Sequence, residues 1–243
     1  ECEVCDHKLL NTDVYRSYWN KLFENKIDEA FATTDNKGAT TMETVSFDYR
    51  FNNLCNFKCR MCGDMLSSSW EAESRKNNTW SKESQPWMAS PLREQIKKFQ
   101  DTQIVEEFVD AVETKKIKEI YWCGGEPLMW DMHWKAMQRI IELGFAKEVC
   151  VRYNTNLSKT TFKGIKLFDL VPHFQDWQIC SSLDGTGEVG EYIRDGLNYQ
   201  QWLRNFKEGL AVSKTSREMR LDYTLTMPGL LELKNMFDLS KEL

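Results

Sequence analysis

Residues 44–62 read TVSFDYRFNNLCNFKCRMC. Val45, Phe47, Tyr49 and Phe51 alternate with Ser46, Asp48 and Arg50, which is the period of a strand with two unlike faces over Thr44–Phe51. Directly beyond it stand Cys55, Cys59 and Cys62, spaced C-x3-C-x2-C. Three thiolates on one short loop occupy three corners of a cubic iron–sulfur cluster, whereas a fully ligated 4Fe–4S cluster takes four cysteines. The remaining iron is then open to another ligand, as the open position of a catalytic zinc is. Structural zinc is the alternative, but it wants four ligands, often as two C-x2-C pairs. The loop plus the Cys2-x2-Cys5 pair would supply five sulfurs. The histidines His7, His133 and His173 are not spaced as ligands. His7 could join a metal at Cys2 and Cys5, and the other two read as surface or satisfied core residues.

Strand and helix alternate from this stretch onward. A helix is expected from Gly63 to about Lys76, then a polar, irregular segment over Asn77–Ala89. Ser90-Pro91 opens a further helix, Pro standing at the first position after a capping Ser, with a break near Asp101. Strands are expected over Ile117–Cys123, Glu148–Asn154, Trp177–Leu183 and Met219–Thr226. Helices are expected over Asp131–Leu143, stopped by Gly144, and over Lys159–Leu170, Tyr199–Ser213 and from Leu230 onward. This order predicts an α/β fold with a parallel sheet and right-handed crossovers. Five strands do not close an eight-stranded barrel, and the chain stops where a sixth strand would begin. The expected architecture is a partial, TIM-like (β/α) barrel, an open parallel sheet of five to six strands with its active site at the carboxyl ends.

Residues 1–43 read as a small N-terminal unit, distinct from the core over 44–243. It carries Cys2-x2-Cys5, then a helical face of Val14, Tyr18, Leu22, Phe23, Ile27 and Phe31 that Thr12 or Asp13 could cap, then a polar linker over Thr33–Thr41. The net charge of −5 gives no electrostatic case for nucleic acid or a membrane surface. No apolar run is long enough to span a bilayer, and no signal peptide is visible. The chain begins with Glu1, so a segment of something longer is expected. Of eight cysteines, five cluster at tight spacings (2/5 and 55/59/62), which favours metal or cluster ligation in a reducing, cytoplasmic setting over disulfides. Cys123, Cys150 and Cys180 fall on expected strands and read as core thiols.

Besides the cysteine loop after the first strand, the ends of the second, third and fourth expected strands carry polar motifs. Gly124-Gly125-Glu126-Pro127 breaks the second strand, and two glycines would let the backbone approach a ligand closely while Glu126 supplies charge to an ammonium group. A plain strand-to-helix turn uses the same residues. Asn154-Thr155-Asn156 follows the third strand and Ser182-Leu183-Asp184-Gly185 the fourth. Arg194 suits bidentate carboxylate binding, or it is a surface arginine paired with Glu191 or Asp195. Nine tryptophans are many. Trp70, Trp80 and Trp87 flank the irregular segment and either line a peptide groove or simply bury apolar area.

Taken together, C-x3-C-x2-C after the first strand and Gly-Gly-Glu-Pro after the second resemble the radical S-adenosylmethionine superfamily over residues 44–243. The Ser-Leu-Asp-Gly motif with the later arginine is similar to its peptide-modifying branch, which carries SPASM or shortened twitch auxiliary-cluster domains. The resemblance implies that Cys55, Cys59 and Cys62 hold a 4Fe–4S cluster whose open iron chelates S-adenosylmethionine. It implies that Gly124, Gly125 and Glu126 contact the methionyl ammonium, and that Asn156, Ser182 and Arg194 make polar contacts to ribose and carboxylate. Implied too are an electron donor such as a flavodoxin or ferredoxin, and reductive cleavage to methionine and a 5′-deoxyadenosyl radical that abstracts hydrogen from a peptide side chain. A small-metabolite substrate, a non-catalytic iron–sulfur or metal-binding module and an inactive fragment are the alternatives. Met61 stands where the family often has an aromatic residue, and a thioether packs on a ring edge. Cys2 and Cys5 precede the barrel, where the family's auxiliary domain usually follows it. They could contribute to a second iron–sulfur cluster only with ligands from outside this chain.

Overall fold

The computed structural model describes residues 15–243. The chain divides into two compact units, Glu1–Thr44 and Val45–Leu243. Cys2, Cys5, His7, Thr12, Asp13 and Val14 lie outside the described residues. The first unit holds α1 (Tyr15–Leu22), a 3-10 turn (Glu24–Lys26) and α2 (Ile27–Thr33). Two short helices thus replace the single one expected. Phe23 leaves α-helical dihedrals (φ −117°, ψ 35°), and Phe31, expected on the apolar face, is 79% exposed. The polar stretch after α2 is a tight bend. Asp35 Oδ1 accepts from the amides of Lys37 (2.8 Å) and Ala39 (2.9 Å), and Gly38 takes φ +83°.

The second unit is built on a five-stranded parallel sheet in the order β1 (Ser46–Tyr49), β3 (Glu119–Trp122), β4 (Cys150–Thr155), β7 (Asp176–Ser182), β9 (Met219–Asp222). β1 and β9 are its two edges, so the sheet is open. All five strands sit within the expected segments to within a residue or two, the ladder being shorter than the apolar pattern. Between β1 and β3 run the two-residue β2 (Lys58–Cys59), α3 (Ser68–Asn77), α4 (Ser90–Phe99) and α5 (Val105–Glu113). The expected break near Asp101 is a π-helical turn over Gln100–Ile104, which joins α4 to α5 without interrupting the helical path. Then follow α6 (Asp131–Glu142), a hairpin of β5 (Thr161–Phe162) and β6 (Ile165–Lys166), α7 (Leu167–Leu170), α8 (Gly187–Ile193), β8 (Arg194–Asp195), α9 (Tyr199–Val212) and α10 (Met227–Glu242).

Two departures from the expected pattern have local causes. The helix expected over Lys159–Leu170 is mostly hairpin, because Lys163 and Gly164 both adopt positive φ (49° and 83°), the conformation of a two-residue hairpin turn. Residues Gly187–Ile193, expected as loop, form α8. There Gly190 packs so closely that an added Cβ would lie 2.2 Å from the Gly185 carbonyl oxygen.

Burial along the strands separates the two faces of the sheet. A parallel sheet covered on both faces reads as continuous apolar runs. Here burial alternates. Ile120, Trp122, Val151, Tyr153, Trp177 and Ile179 are buried in one core with Phe108, Trp134, Met137 and Ile140 of the helices. Between them Tyr121, Arg152, Asn154, Gln178 and Cys180 are only half-buried. The helices therefore cover one face, and the other stays polar. No helix among the described residues is long and apolar enough to cross a membrane.

Candidate functional site at the carboxyl ends of the strands

Cys55, Cys59 and Cys62 line a cavity of about 290 Å³ together with Gly124 and Gly125. The same wall carries Asn156, Ser182 and Arg194, so residues that follow or end β1, β3, β4 and β7 converge at one place. Among the expected site residues Glu126 is not on the wall. Neither are Trp70, Trp80 and Trp87.

Three mounts hold the cysteine loop. The first is the amino end of α3. Ser67 Oγ donates to the Phe57 carbonyl (2.6 Å), Ser69 Oγ to that of Cys55 (2.8 Å) and Trp70 Nε1 to that of Cys59 (2.9 Å). Ser68 Oγ accepts from the Cys55 amide at 3.1 Å. The helix expected from Gly63 starts only at Ser68, where Ser67 caps α3 by accepting from the Trp70 amide. Its grip on the loop was not legible. Behind it, Glu71 accepts from Asn53 Nδ2 (2.6 Å), Arg93 and Arg75. Burial pushes the Glu71 carboxyl up, and these bonds outweigh it, bringing the group down to about 2.

The second mount is a short antiparallel ladder of β2 with β8, in which Cys59 faces Arg194 and Lys58 faces Asp195. The Arg60 amide extends it by donating to the Ile193 carbonyl at 2.9 Å. Gly196 (φ +111°) closes over Phe57, whose ring an added Cβ would meet at 2.7 Å.

The third mount is the Gly-Gly-Glu-Pro turn. Both glycines take positive φ (80° and 58°), and a Cβ on Gly125 would lie 2.4 Å from the Leu54 carbonyl oxygen. That same oxygen accepts from the Glu126 amide at 2.7 Å. The glycines thus dock the turn onto the loop that carries the cysteines. Glu126 is 2% exposed. Its carboxylate accepts from the Leu128 amide (3.0 Å), Thr155 Oγ1 (2.7 Å) and the Asn156 amide (2.7 Å), tying the end of β3 to the end of β4. Burial raises its pKa, and those bonds oppose the rise.

Around the sulfurs stand several donors. The Phe57 amide lies 3.4 Å from Cys55 Sγ, and Asn156 Nδ2 lies 4.0 Å from it. Asn156 also donates to Asn56 Oδ1 at 3.0 Å. Arg194 Nη1 is 3.8 Å from Cys59 Sγ. Burial pushes the Cys55 thiol up to about 11. The hydrogen bond between Cys59 and Cys62 splits that pair, raising Cys59 and lowering Cys62 to about 7. Cys123 is buried, as expected of a core thiol, and also reaches the wall. Its Sγ turns to Asp48 Oδ1 at 3.0 Å, and burial followed by Asp48 pushes it up to about 12, so it remains a thiol. Arg194 pairs with the buried Asp184, and neither Glu191 nor Asp195 takes its guanidinium. His133 is a core residue with Nε2 3.0 Å from the Tyr153 hydroxyl, and burial lowers it to about 3.

Among the described residues no group of three or more His, Cys, Asp and Glu side chains is placed to hold a metal ion. A cluster takes one thiolate per iron, so its ligands need not converge as closely as those on one ion. No family model matches the sequence, and no curated protein matches it significantly.

Proposed function

We propose that this protein is a radical S-adenosylmethionine enzyme, with the open sheet as a partial (β/α) barrel. The observation that supports the reading best is the shared cavity. Three cysteines in C-x3-C-x2-C spacing line it together with polar groups from the carboxyl ends of three further strands. The donor chemistry fits a 4Fe–4S cluster. Cys55, Cys59 and Cys62 would hold three irons, and the three mounts keep their loop in place before anything binds.

What the cluster and S-adenosylmethionine supply together when bound is one-electron cleavage of the sulfonium and hydrogen abstraction from an unactivated substrate carbon. The chain's own part is to bind, orient and tune. Phe57 N–H and Asn156 Nδ2 donate toward the Cys55 sulfur, and such bonds move cluster potentials. Asn156, Ser182 and Arg194 offer amide, hydroxyl and guanidinium groups for ribose and carboxylate. Glu126 acts one layer back, since it accepts from the Asn156 amide and the Thr155 hydroxyl beside it while the Leu128 amide steadies its carboxylate. Phe57, Met61 and Leu66 give the cavity apolar walls that limit water. The substrate class follows the resemblance to the peptide-modifying branch, a peptide or protein side chain. An electron donor of the flavodoxin or ferredoxin kind is required.

Anaerobic reconstitution with iron and sulfide, reduction and addition of S-adenosylmethionine tests this. Formation of 5′-deoxyadenosine, lost in Cys55→Ala, Cys59→Ala and Cys62→Ala, is the expected result. Zinc without iron uptake, or a cluster inert to S-adenosylmethionine, overturns it. Deuterium carried from a labelled substrate into 5′-deoxyadenosine separates a peptide from a small metabolite.

A further inference from the structure

We infer that Asp184 is a positioning residue that holds the Arg194 guanidinium against the Cys59 sulfur, and that this contact raises the reduction potential of the cluster. The inference rests on the iron–sulfur function proposed above.

Asp184 has no exposed surface, and Arg194 is 8% exposed. Arg194 Nη2 donates to Asp184 Oδ1 at 3.0 Å, while Nε lies 2.7 Å from Oδ2. The carboxylate thus takes one hydrogen bond from that edge of the guanidinium, at Nη2, and holds Nε as an ion pair only. At the other end Nη1 donates toward Cys59 Sγ at 3.8 Å. The carboxylate is itself anchored, because Oδ1 also accepts from the Thr224 amide at 2.8 Å, just beyond β9. The backbone separation is set independently, since Arg194 and Cys59 are partners in the β2–β8 ladder. Arginine has five N–H donors in a planar fork, so fixing one edge fixes the direction of the rest. An unpaired guanidinium at this depth would be costly, and Asp184 offsets that cost. The sequence alone offered Glu191 and Asp195 as partners, and both leave the sulfur-facing geometry unexplained.

The electrostatic consequence has a definite sign. Reduction places one added electron on the cluster, and a cationic donor on a ligand sulfur favours the reduced form. Loss of the donor makes the potential more negative. Loss of the Asp184 charge with Arg194 unmoved makes it more positive, whereas loss of Asp184 with release of Arg194 makes it more negative.

The test uses the full chain, reconstituted anaerobically and titrated with redox mediators that deliver one electron per cluster, followed by electron paramagnetic resonance. Arg194→Gln shifts the midpoint to more negative potential. Arg194→Lys, which keeps the charge but not the fork, shifts it the same way by less and serves if the glutamine variant loads poorly. Asp184→Asn also shifts it negative. An unchanged midpoint in both Arg194 variants, or an unchanged or more positive one in Asp184→Asn, overturns the inference while leaving the proposed function standing. A wild-type chain that binds no cluster overturns both.

Discussion

Glu126 offers the sharpest test of how the site is built, because the sequence suggests a ligand contact and the structure shows a tether. The substitution is Glu126→Gln. The carboxylate accepts three bonds, two at Oε1 from the Leu128 amide and Thr155 Oγ1, and one at Oε2 from the Asn156 amide. A glutamine oxygen at the Oε1 position keeps the first two. Its NH₂ group then faces the Asn156 N–H, donor against donor, leaving a buried amide unsatisfied at a cost of about 1–3 kcal/mol. With a urea slope of about 2 kcal/mol per M, the midpoint falls by roughly 0.5–1.5 M. Equilibrium urea unfolding of the ligand-free chain at pH 7, followed by tryptophan fluorescence and circular dichroism, reads this directly. Glu126→Ala, which strands all three donors, falls further. Ligand-free Glu126→Gln unfolding at the wild-type midpoint would refute the tether and return Glu126 to a role in ligand contact alone.

Three further outcomes follow from the mounts of the cysteine loop. Gly125→Ala sets a Cβ 2.4 Å from the Leu54 carbonyl at φ +58°, so thermal melting should show a loss of about 1–3 kcal/mol, and iron loading after reconstitution should drop with it. Trp70→Phe removes the 2.9 Å bond to the Cys59 carbonyl; a loss of about 0.5–1.5 kcal/mol and faster alkylation of Cys59 by iodoacetamide are expected, and unchanged alkylation would separate Trp70 from the loop. Glu71 is depressed in the folded chain from an ordinary 4.5 to about 2, so its contribution is full above its unfolded value and is lost as pH falls through that window. Solvent screening of the partly exposed pair reduces what the full shift would give by linkage, to about 1–2 kcal/mol. Urea midpoints at pH 6, 4 and 3 should fall steeply in the wild type and less so in Glu71→Gln.

The strand expected over Thr44–Phe51 was legible because period-2 alternation is a local property of a chain with one buried face. The convergence of strand-end motifs was legible because parallel strands joined by crossovers must point their carboxyl ends the same way. The hairpin at Thr161–Lys166 was missed because the positive φ of a lysine leaves no compositional mark. The tether role of Glu126 was missed because its partners, Thr155 and Asn156, lie about thirty residues away and a different strand brings them near.

The sequence by itself therefore determined most of the alternation of strands and helices, the cysteine triad and the end of the sheet where the strand-end motifs meet. These follow from periodicity, spacing and chirality, which need no knowledge of neighbours. Tertiary structure alone decided which groups hold the site and which line it. Only folding shows that Glu126 faces inward to the protein, that Ser67–Trp70 grip the loop and that Asp184 takes the Arg194 guanidinium. A hydrogen bond is specified by distance and direction between groups remote in sequence, and neither is encoded in the order of residues along a short window.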